Sequence, residues 1–286
     1  MRKFCRKQEK KNAVNIVSDF GCQKENTMKV VILAGGFGTR ISEESQVRPK
    51  PMVEIGGYPI LWHIMKIYSH YGVNDFVICA GYKQHMIKQY FADYALHNSD
   101  ITFDFQGRES VKVHSNFSEP WKVTVVDTGY ASLTGKRIKK IQPYIGNERF
   151  MLTYGDGVSD VNIKELLDYH KSHGKICTIT ATKPESRFGY LEMDGGQVNA
   201  FREKSRDDVG YINSGFMVME PEVFDYLQGN VMLEQEPMHQ LIKAHQVMAY
   251  KHDGFWQCMD TLRDKQRLEA LWHSKQAKWK IWTDEE

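Results

Sequence analysis

The chain has 286 residues, of which 41% are hydrophobic, 12% aromatic and 26% charged, so it can build a large core and is too aromatic for a disordered segment. Its net charge of +2 hides an asymmetry: residues 1–27 hold seven Lys/Arg against three Asp/Glu, and the rest of the chain holds 31 basic against 33 acidic residues. A nearly neutral body excludes a general footprint for nucleic acid, and no run reaches the roughly 20 apolar residues that span a bilayer.

Residues 1–27 read as a basic extension, an appended tail or an over-extended start, expected to be disordered or non-native. They lack the apolar core of a signal peptide. The domain is expected to occupy residues 28–286. Lys29–Leu33 (KVVIL) reads as a buried strand entering a Gly-rich loop. A helix is expected from Pro59 to about Gly72, with Ile60, Leu61, Ile64, Met65 and Tyr68 on one face. Asp75–Ala80 is a second buried strand, and Met86, Ile87, Tyr90, Phe91 and Tyr94 mark another helical face. Residues 98–122 break this rhythm and read as an insertion with β character, a candidate contact between subunits. Beyond it, Phe150–Thr153 is a strand running into a GDG turn, Ile163–His173 a helix and Cys177–Thr182 a strand. Phe216–Met219 and Val247–Tyr250 are strands separated by a helical Glu234–Ala244. Thr261 to about Lys275 is helical, and the Trp-rich tail from Trp279 is expected to pack back on the body.

Alternation of strand and helix predicts an α/β fold: a Rossmann-like, mostly parallel mixed sheet with helices on both faces, the β-rich insertion and a C-terminal helical segment. Cys5, Cys22, Cys79, Cys177 and Cys258 form no CxxC pair and no metal-ligand spacing, which fits reduced thiols in a cytoplasmic protein.

Two segments carry chemistry. In LAGGFGTR, Leu33–Arg40, a strand feeds glycines that let backbone N–H groups approach a phosphate or a base. Gly35, Gly36 and Gly38 are suited to close approach and positive φ, and Thr39 and Arg40 add a hydroxyl and a guanidinium fork. No Lys-Ser/Thr follows as a P-loop requires, and Ile41 stands where a dinucleotide fingerprint needs glycine or alanine. In VRPKP, Lys50 lies between Pro49 and Pro51, a cation on a stiff segment. Asp156 follows a strand between two glycines, where open sheets bind ligands, although a turn aspartate fits equally well. Asp260 alone reads as the N-cap of the last helix.

LAGGFGTR followed by VRPKP resembles the signature of the sugar-1-phosphate nucleotidyltransferases, the nucleotide-sugar pyrophosphorylase family. EIGGYPILWHIMKIYS, VTVVDTG, TYGDGVSDVNI, RFGYLEMD, FREK, YINSGF and GFWQCMDTLRDK extend the likeness from Met28 to about Trp282. It is strongest to members that use CTP and glucose 1-phosphate. The resemblance implies a nucleotide site at Leu33, Ala34, Gly35, Gly36, Gly38, Thr39, Arg40, Lys50, Asp127, Thr128 and Gly129. It implies a sugar-phosphate site at Tyr154, Gly155, Glu203, Lys204 and Asn213. It also implies catalytic roles for Lys50 and Arg40, and Mg²⁺ held by Asp156 and Asp260. It implies a homo-oligomer in the cytoplasm that binds neither nucleic acid nor membrane and supplies surface-polysaccharide assembly. Three positions depart from the family pattern: Lys136 replaces the second glycine of TGKR, SRDD follows FREK without a proline, and Ser214 stands where glycine is common. UTP or dTTP as the nucleotide, and a silent nucleotide-sugar sensor, remain alternatives at this point.

Overall fold

The computed structural model describes residues 28–38, 41, 44, 47–106, 110–183, 190–202 and 210–283. The basic extension, residues 1–27, lies outside them.

In chain order, β1 (Lys29–Ala34) is followed by a 3-10 turn (Lys50–Met52), β2 (Glu54–Ile55), β3 (Tyr58–Pro59) and α1 (Ile60–His70). Then come β4 (Asp75–Ala80), α2 (Gln84–Ala92), α3 (Tyr94–His97), β5 (Ser99–Asp104), β6 (Ser110–Asn116) and β7 (Lys122–Asp127). The middle of the chain forms α4 (Thr134–Lys140), α5 (Gln142–Ile145), β8 (Phe150–Tyr154), β9 (Gly157–Ser159), α6 (Ile163–His173) and β10 (Cys177–Thr182). The remainder forms β11 (Tyr190–Asp194), β12 (Gln197–Arg202), β13 (Ile212–Met219), a 3-10 segment (Pro221–Tyr226), α7 (Glu236–Lys243), β14 (Val247–His252), β15 (Trp256–Cys258) and α8 (Leu262–His273).

Among the described residues, nine strands make one mixed sheet in the order β11-β12-β14-β10-β13-β8-β1-β4-β7. β8, β1, β4 and β7 run parallel, as do β10 and β14. β13 runs antiparallel between β8 and β10, and the β11–β12 hairpin closes one edge. β1, β4 and β10 are buried along almost their whole length because helices cover both faces. One core layer packs α1 and α8 on the sheet, and the other packs α4, α5 and α7. Cys79, Cys177 and Cys258 are buried free thiols. No helix among the described residues is long and apolar enough to cross a membrane.

The insertion forms its own hairpin, β5 with β6, in which Ile101 pairs with Val113 and Phe103 with Val111. These side chains share one face at period two, and Phe103, Phe105, Val111 and Val113 are all more than half exposed.

The C-terminal tail packs back as expected. Trp279 and Trp282 are buried and pack with buried Trp62 and half-buried Trp272 around His63. His63 Nε2 donates to Ile55 O (2.8 Å), and Trp279 Nε1–H approaches Nδ1 (3.4 Å), so the hydrogen bonds assign the neutral Nε2–H tautomer. A second proton on Nδ1 would face the indole N–H. Burial lowers the His63 pKa from 6.5 to about 4 despite the backbone bonds that favour its charge. Between those values the unfolded chain holds a proton that the folded chain does not. The stabilisation is therefore complete above pH 6.5 and is lost as pH falls towards 4. We expect the urea midpoint to drop between pH 6.5 and pH 4, and to drop less in His63→Gln, measured by tryptophan fluorescence.

Candidate active site

The site grows from the carboxyl ends of β1 and β8. Leu33 pairs with Tyr154, and Gly155 N donates to Leu33 O (3.0 Å), so the glycine loop and the GDG turn leave the sheet side by side. Met52 N bonds Pro49 O (2.8 Å) and Val53 N bonds Lys50 O (3.1 Å), which together with the flanking prolines fixes the Lys50 backbone.

Lys50 Nζ lies 2.6 Å from Asp156 Oδ2 and 2.5 Å from Asp260 Oδ1. A short ladder explains how residues so distant in sequence meet. β15 pairs antiparallel with β9, with Cys258 opposite Gly157, and Met259 N donates to Asp156 O (2.8 Å). Asp156 and Asp260 therefore emerge at the same end of that ladder. Burial works to lower the Lys50 pKa, but the two carboxylate charges and their hydrogen bonds outweigh it and raise the pKa above the ordinary lysine value.

Asp260 is not the cap of α8. Thr261 caps it: Thr261 Oγ1 accepts from Asp264 N (3.2 Å), and Asp264 Oδ2 accepts from Thr261 N (2.8 Å) in a capping box. That box leaves the Asp260 carboxylate for Lys50.

Beside this cluster lies a cavity of about 290 Å³, lined by Leu33–Gly38, Lys50, Pro51, Ala131–Thr134, Arg137, Tyr154–Asp156 and Met232. At the glycine loop, Phe37, Tyr82 and Tyr130 form an edge-on aromatic group, with centroids 4.9–6.0 Å apart. Only Gly38 of the three loop glycines has positive φ, at 65°. Gly35 is needed for a different reason: a Cβ there would lie 2.2 Å from Arg137 Nη1.

Arg137 is 4% exposed and holds the loop from behind. Its Nη2 donates to Gly35 O (2.8 Å), and its Nη1 donates to Thr128 Oγ1 (2.7 Å) and Gly129 O (2.8 Å). Thr128 Oγ1 in turn donates to Ala80 O (2.7 Å), and Asp127 is exposed and accepts from Gly129 N (2.9 Å). Asp127–Gly129 thus touches the glycine loop through Arg137 and is absent from the cavity lining. Asn213 Oδ1 accepts from Gly215 N (2.8 Å), and its Nδ2 approaches the Tyr154 hydroxyl at 3.4 Å.

The structure therefore brings together Leu33, Ala34, Gly35, Gly36, Gly38, Lys50, Tyr154, Gly155 and Asp156 on the cavity, with Asp260 and Asn213 each bonded to a lining residue. Thr39, Arg40, Glu203 and Lys204 lie outside the described residues. Sequence reasoning missed Ser132–Thr134, Met232, Arg137 and Glu234. The TGKR segment was the available signal for Thr134 and Arg137; nothing local marks Met232 or Glu234.

The nucleotidyl transferase family matches residues 29–284. Glucose-1-phosphate cytidylyltransferase of Salmonella typhi is 54% identical over 257 residues, which are 89% of this chain and 100% of that protein. The probable glucose-1-phosphate cytidylyltransferase of Bacillus subtilis strain 168 is 44% identical over the same shares. Among solved structures, a putative glucose-1-phosphate thymidylyltransferase from Bacillus anthracis superposes with a TM-score of 0.68 at 19% identity, covering 90% of this chain and 97% of that one. At that identity the likeness concerns the fold.

Replacing Arg137 by alanine would leave buried carbonyls and a hydroxyl without a donor, at about 1–3 kcal/mol for each unpaired group. We expect Arg137→Ala to lower the unfolding midpoint sharply. Arg137→Lys, whose ammonium lacks the planar fork, should recover only part of the loss. Chemical denaturation checks both.

Proposed function

The chain belongs to the nucleotidyl transferase family, and from that premise we propose that it transfers the cytidylyl group of CTP to glucose 1-phosphate, giving CDP-glucose and pyrophosphate. The two relatives named glucose-1-phosphate cytidylyltransferase support the substrates. The observation that carries the reaction type is the convergence of Lys50, Asp156 and Asp260 beside the cavity.

In this reaction a phosphate oxygen of glucose 1-phosphate attacks the α-phosphorus of CTP while the bond to the pyrophosphate oxygen breaks. Two polyanions must be aligned, and side chains have little covalent work to do. One ammonium against two carboxylates leaves the cluster net negative, so by itself it repels phosphate. Asp156 and Asp260 offer oxygens only, and both converge on one point, the Lys50 Nζ. That donor set fits a hard divalent cation such as Mg²⁺, which takes one or two carboxylates and leaves its other positions to phosphate and water. Asp156 and Asp260 would hold it, and it would supply charge neutralisation to the phosphates.

Lys50 stays charged, on a backbone stiffened by two prolines, at the rim where the phosphates must meet. The loop Gly35–Gly38 offers its backbone to the nucleotide, with Leu33 and Ala34 beneath it. Tyr154, Gly155 and Asn213 stand on the side assigned to the sugar phosphate. Thr39 and Arg40 for the nucleotide, and Glu203 and Lys204 for the sugar phosphate, keep their roles on the strength of their motifs. Asp127–Gly129 keeps its nucleotide role on the strength of its motif and also supports the glycine loop through Arg137. The reading implies a cytoplasmic source of activated glucose for surface polysaccharide.

Loss of one well-placed electrostatic group costs on the order of 10²–10³ in rate. We expect Lys50→Ala to fold and to lose at least that much kcat/KM, and CTP to lead a panel of nucleoside triphosphates assayed by pyrophosphate release with glucose 1-phosphate. Near-normal turnover by a folded Lys50→Ala rejects the assignment.

The apolar face of the β5–β6 hairpin supports assembly of like subunits, since an exposed apolar patch of this kind marks an interface. Light scattering should give a multiple of 33.2 kDa for the intact chain, and a lower mass for Phe103→Asp combined with Val113→Asp.

A further inference from the structure

Behind the cavity wall, one carboxylate collects two hydroxyl protons. Tyr154 Oη donates to Glu234 Oε1 (2.5 Å), and Thr134 Oγ1 donates to Glu234 Oε2 (2.7 Å). Tyr154 and Thr134 both line the cavity; Glu234 does not. The strip that carries Glu234 is fastened to the strip that carries Thr134. Leu133 N donates to Asn230 Oδ1 (2.9 Å), Gly135 N to Val231 O (3.0 Å) and Leu233 N to Thr134 Oγ1 (2.8 Å). Tyr154 is also fixed: Gly215, at φ 88°, lies so close that an added Cβ would stand 2.4 Å from the Tyr154 ring.

An ionised carboxylate only accepts, and a hydroxyl has one proton and two acceptor sites. With its proton committed to Glu234, and one lone pair taken by Leu233 N–H, Thr134 Oγ1 keeps a single unused acceptor site, on a residue that lines the cavity. Tyr154 Oη likewise commits its proton to Glu234 Oε1. It offers no alternative donor.

The cavity crosses the carboxyl edge of the sheet. Met52 and Met259, close in sequence to Lys50 and Asp260, pack in the α1/α8 core layer, whereas Thr134 opens α4, whose apolar side chains pack in the other core layer with α7. A nucleotide whose phosphates meet Lys50 therefore extends its base between the glycine loop and the Ala131–Thr134 wall. Cytosine presents an exocyclic amine, a donor, where uracil and thymine present a carbonyl, an acceptor.

We infer that Thr134 Oγ1, its proton locked by Glu234, accepts from the exocyclic amine of the nucleobase and disfavours a carbonyl in that place. Glu234 is then a positioning residue for base choice. This rests on the cytidylyl reading above.

The test compares kcat/KM for CTP and UTP, each with glucose 1-phosphate and Mg²⁺, in the full chain and in three variants. In Thr134→Val the acceptor is gone, and the CTP/UTP ratio should fall at least tenfold through loss on CTP. Thr134→Ser keeps the hydroxyl and should keep the ratio. Glu234→Met frees the Thr134 proton to turn into the cavity, so the ratio should fall while kcat/KM for UTP holds or rises. A purely structural role for Glu234 would lower both nucleotides equally. A folded Thr134→Val that keeps the wild-type ratio within threefold overturns the inference and leaves the cytidylyl reading standing. So does a change confined to the choice among sugar 1-phosphates. A wild-type chain with no preference for CTP overturns both.

Discussion

The site is organised by one ammonium gripped by two carboxylates. Lys50 comes from a proline-stiffened turn, Asp156 from the end of β8 and Asp260 from beyond β15, separated in sequence by 106 and 210 residues. Each side chain is largely withdrawn from water, at 13%, 29% and 21% exposure. Charges so placed are tolerated only when paired, and removing one partner strands the others. The cluster therefore ties three parts of the chain together and also sets the electrostatics of the cavity. With two carboxylates to one ammonium it cannot greet phosphate unaided.

Two cations close to the cavity do opposite work. Lys50 is a point charge at the rim whose present partners are carboxylates. Arg137 is a planar fork spent on carbonyls and a hydroxyl, so its donors face the protein rather than a ligand. It holds the glycine loop from the rear, which is why Gly35 cannot carry a side chain although its own φ is not positive. Two departures from the family pattern lose their weight in this light. Lys136 lies within α4 at an ordinary φ, where no glycine is required. Ser214 is buried with its hydroxyl bonded to Thr180 O (3.0 Å), and the left-handed position beside it is filled by Gly215.

Much of this was legible in the sequence wherever the cause is local. β4, β10 and α6 have the bounds that pattern predicts, because each is an apolar or periodic run between clear stops; Asn162 caps α6 through Lys164 N and Glu165 N, and Gly174 ends it at φ 63°. The short helices α4 and α5 went unread because α4 is basic, TGKRIKK, and α5 spans a single turn. The strand β7 was seen only as part of a motif. At the site, glycines, prolines and the GDG turn announce themselves by type. Glu234 and Arg137 do not, since their meaning comes from partners 80 and 102 residues away. Asp260 was half misread for the reverse reason: a local rule offered it as a cap, and the neighbouring threonine satisfies that rule better.

The topology explains why the chemistry gathers where it does. β1 has β4 on one side and β8 on the other, all parallel; the chain leaves β1 towards β4 and later returns from β7 to β8 on the far side of β1, so the connections diverge and open a crevice at the carboxyl ends of β1 and β8. The glycine loop fills that crevice from β1 and Asp156 enters it from β8. Sheet order thus brings a backbone suited to phosphate within reach of a carboxylate suited to a metal, before any side-chain preference acts. The rest of the molecule adds no positive field: beyond its first 27 residues the chain carries 31 basic and 33 acidic residues. A body without surplus positive charge can bring two phosphate groups together only through local cations. On the reading proposed above, with Lys50 already shared between two aspartates, affinity for both substrates would rise and fall with a divalent ion held by those aspartates.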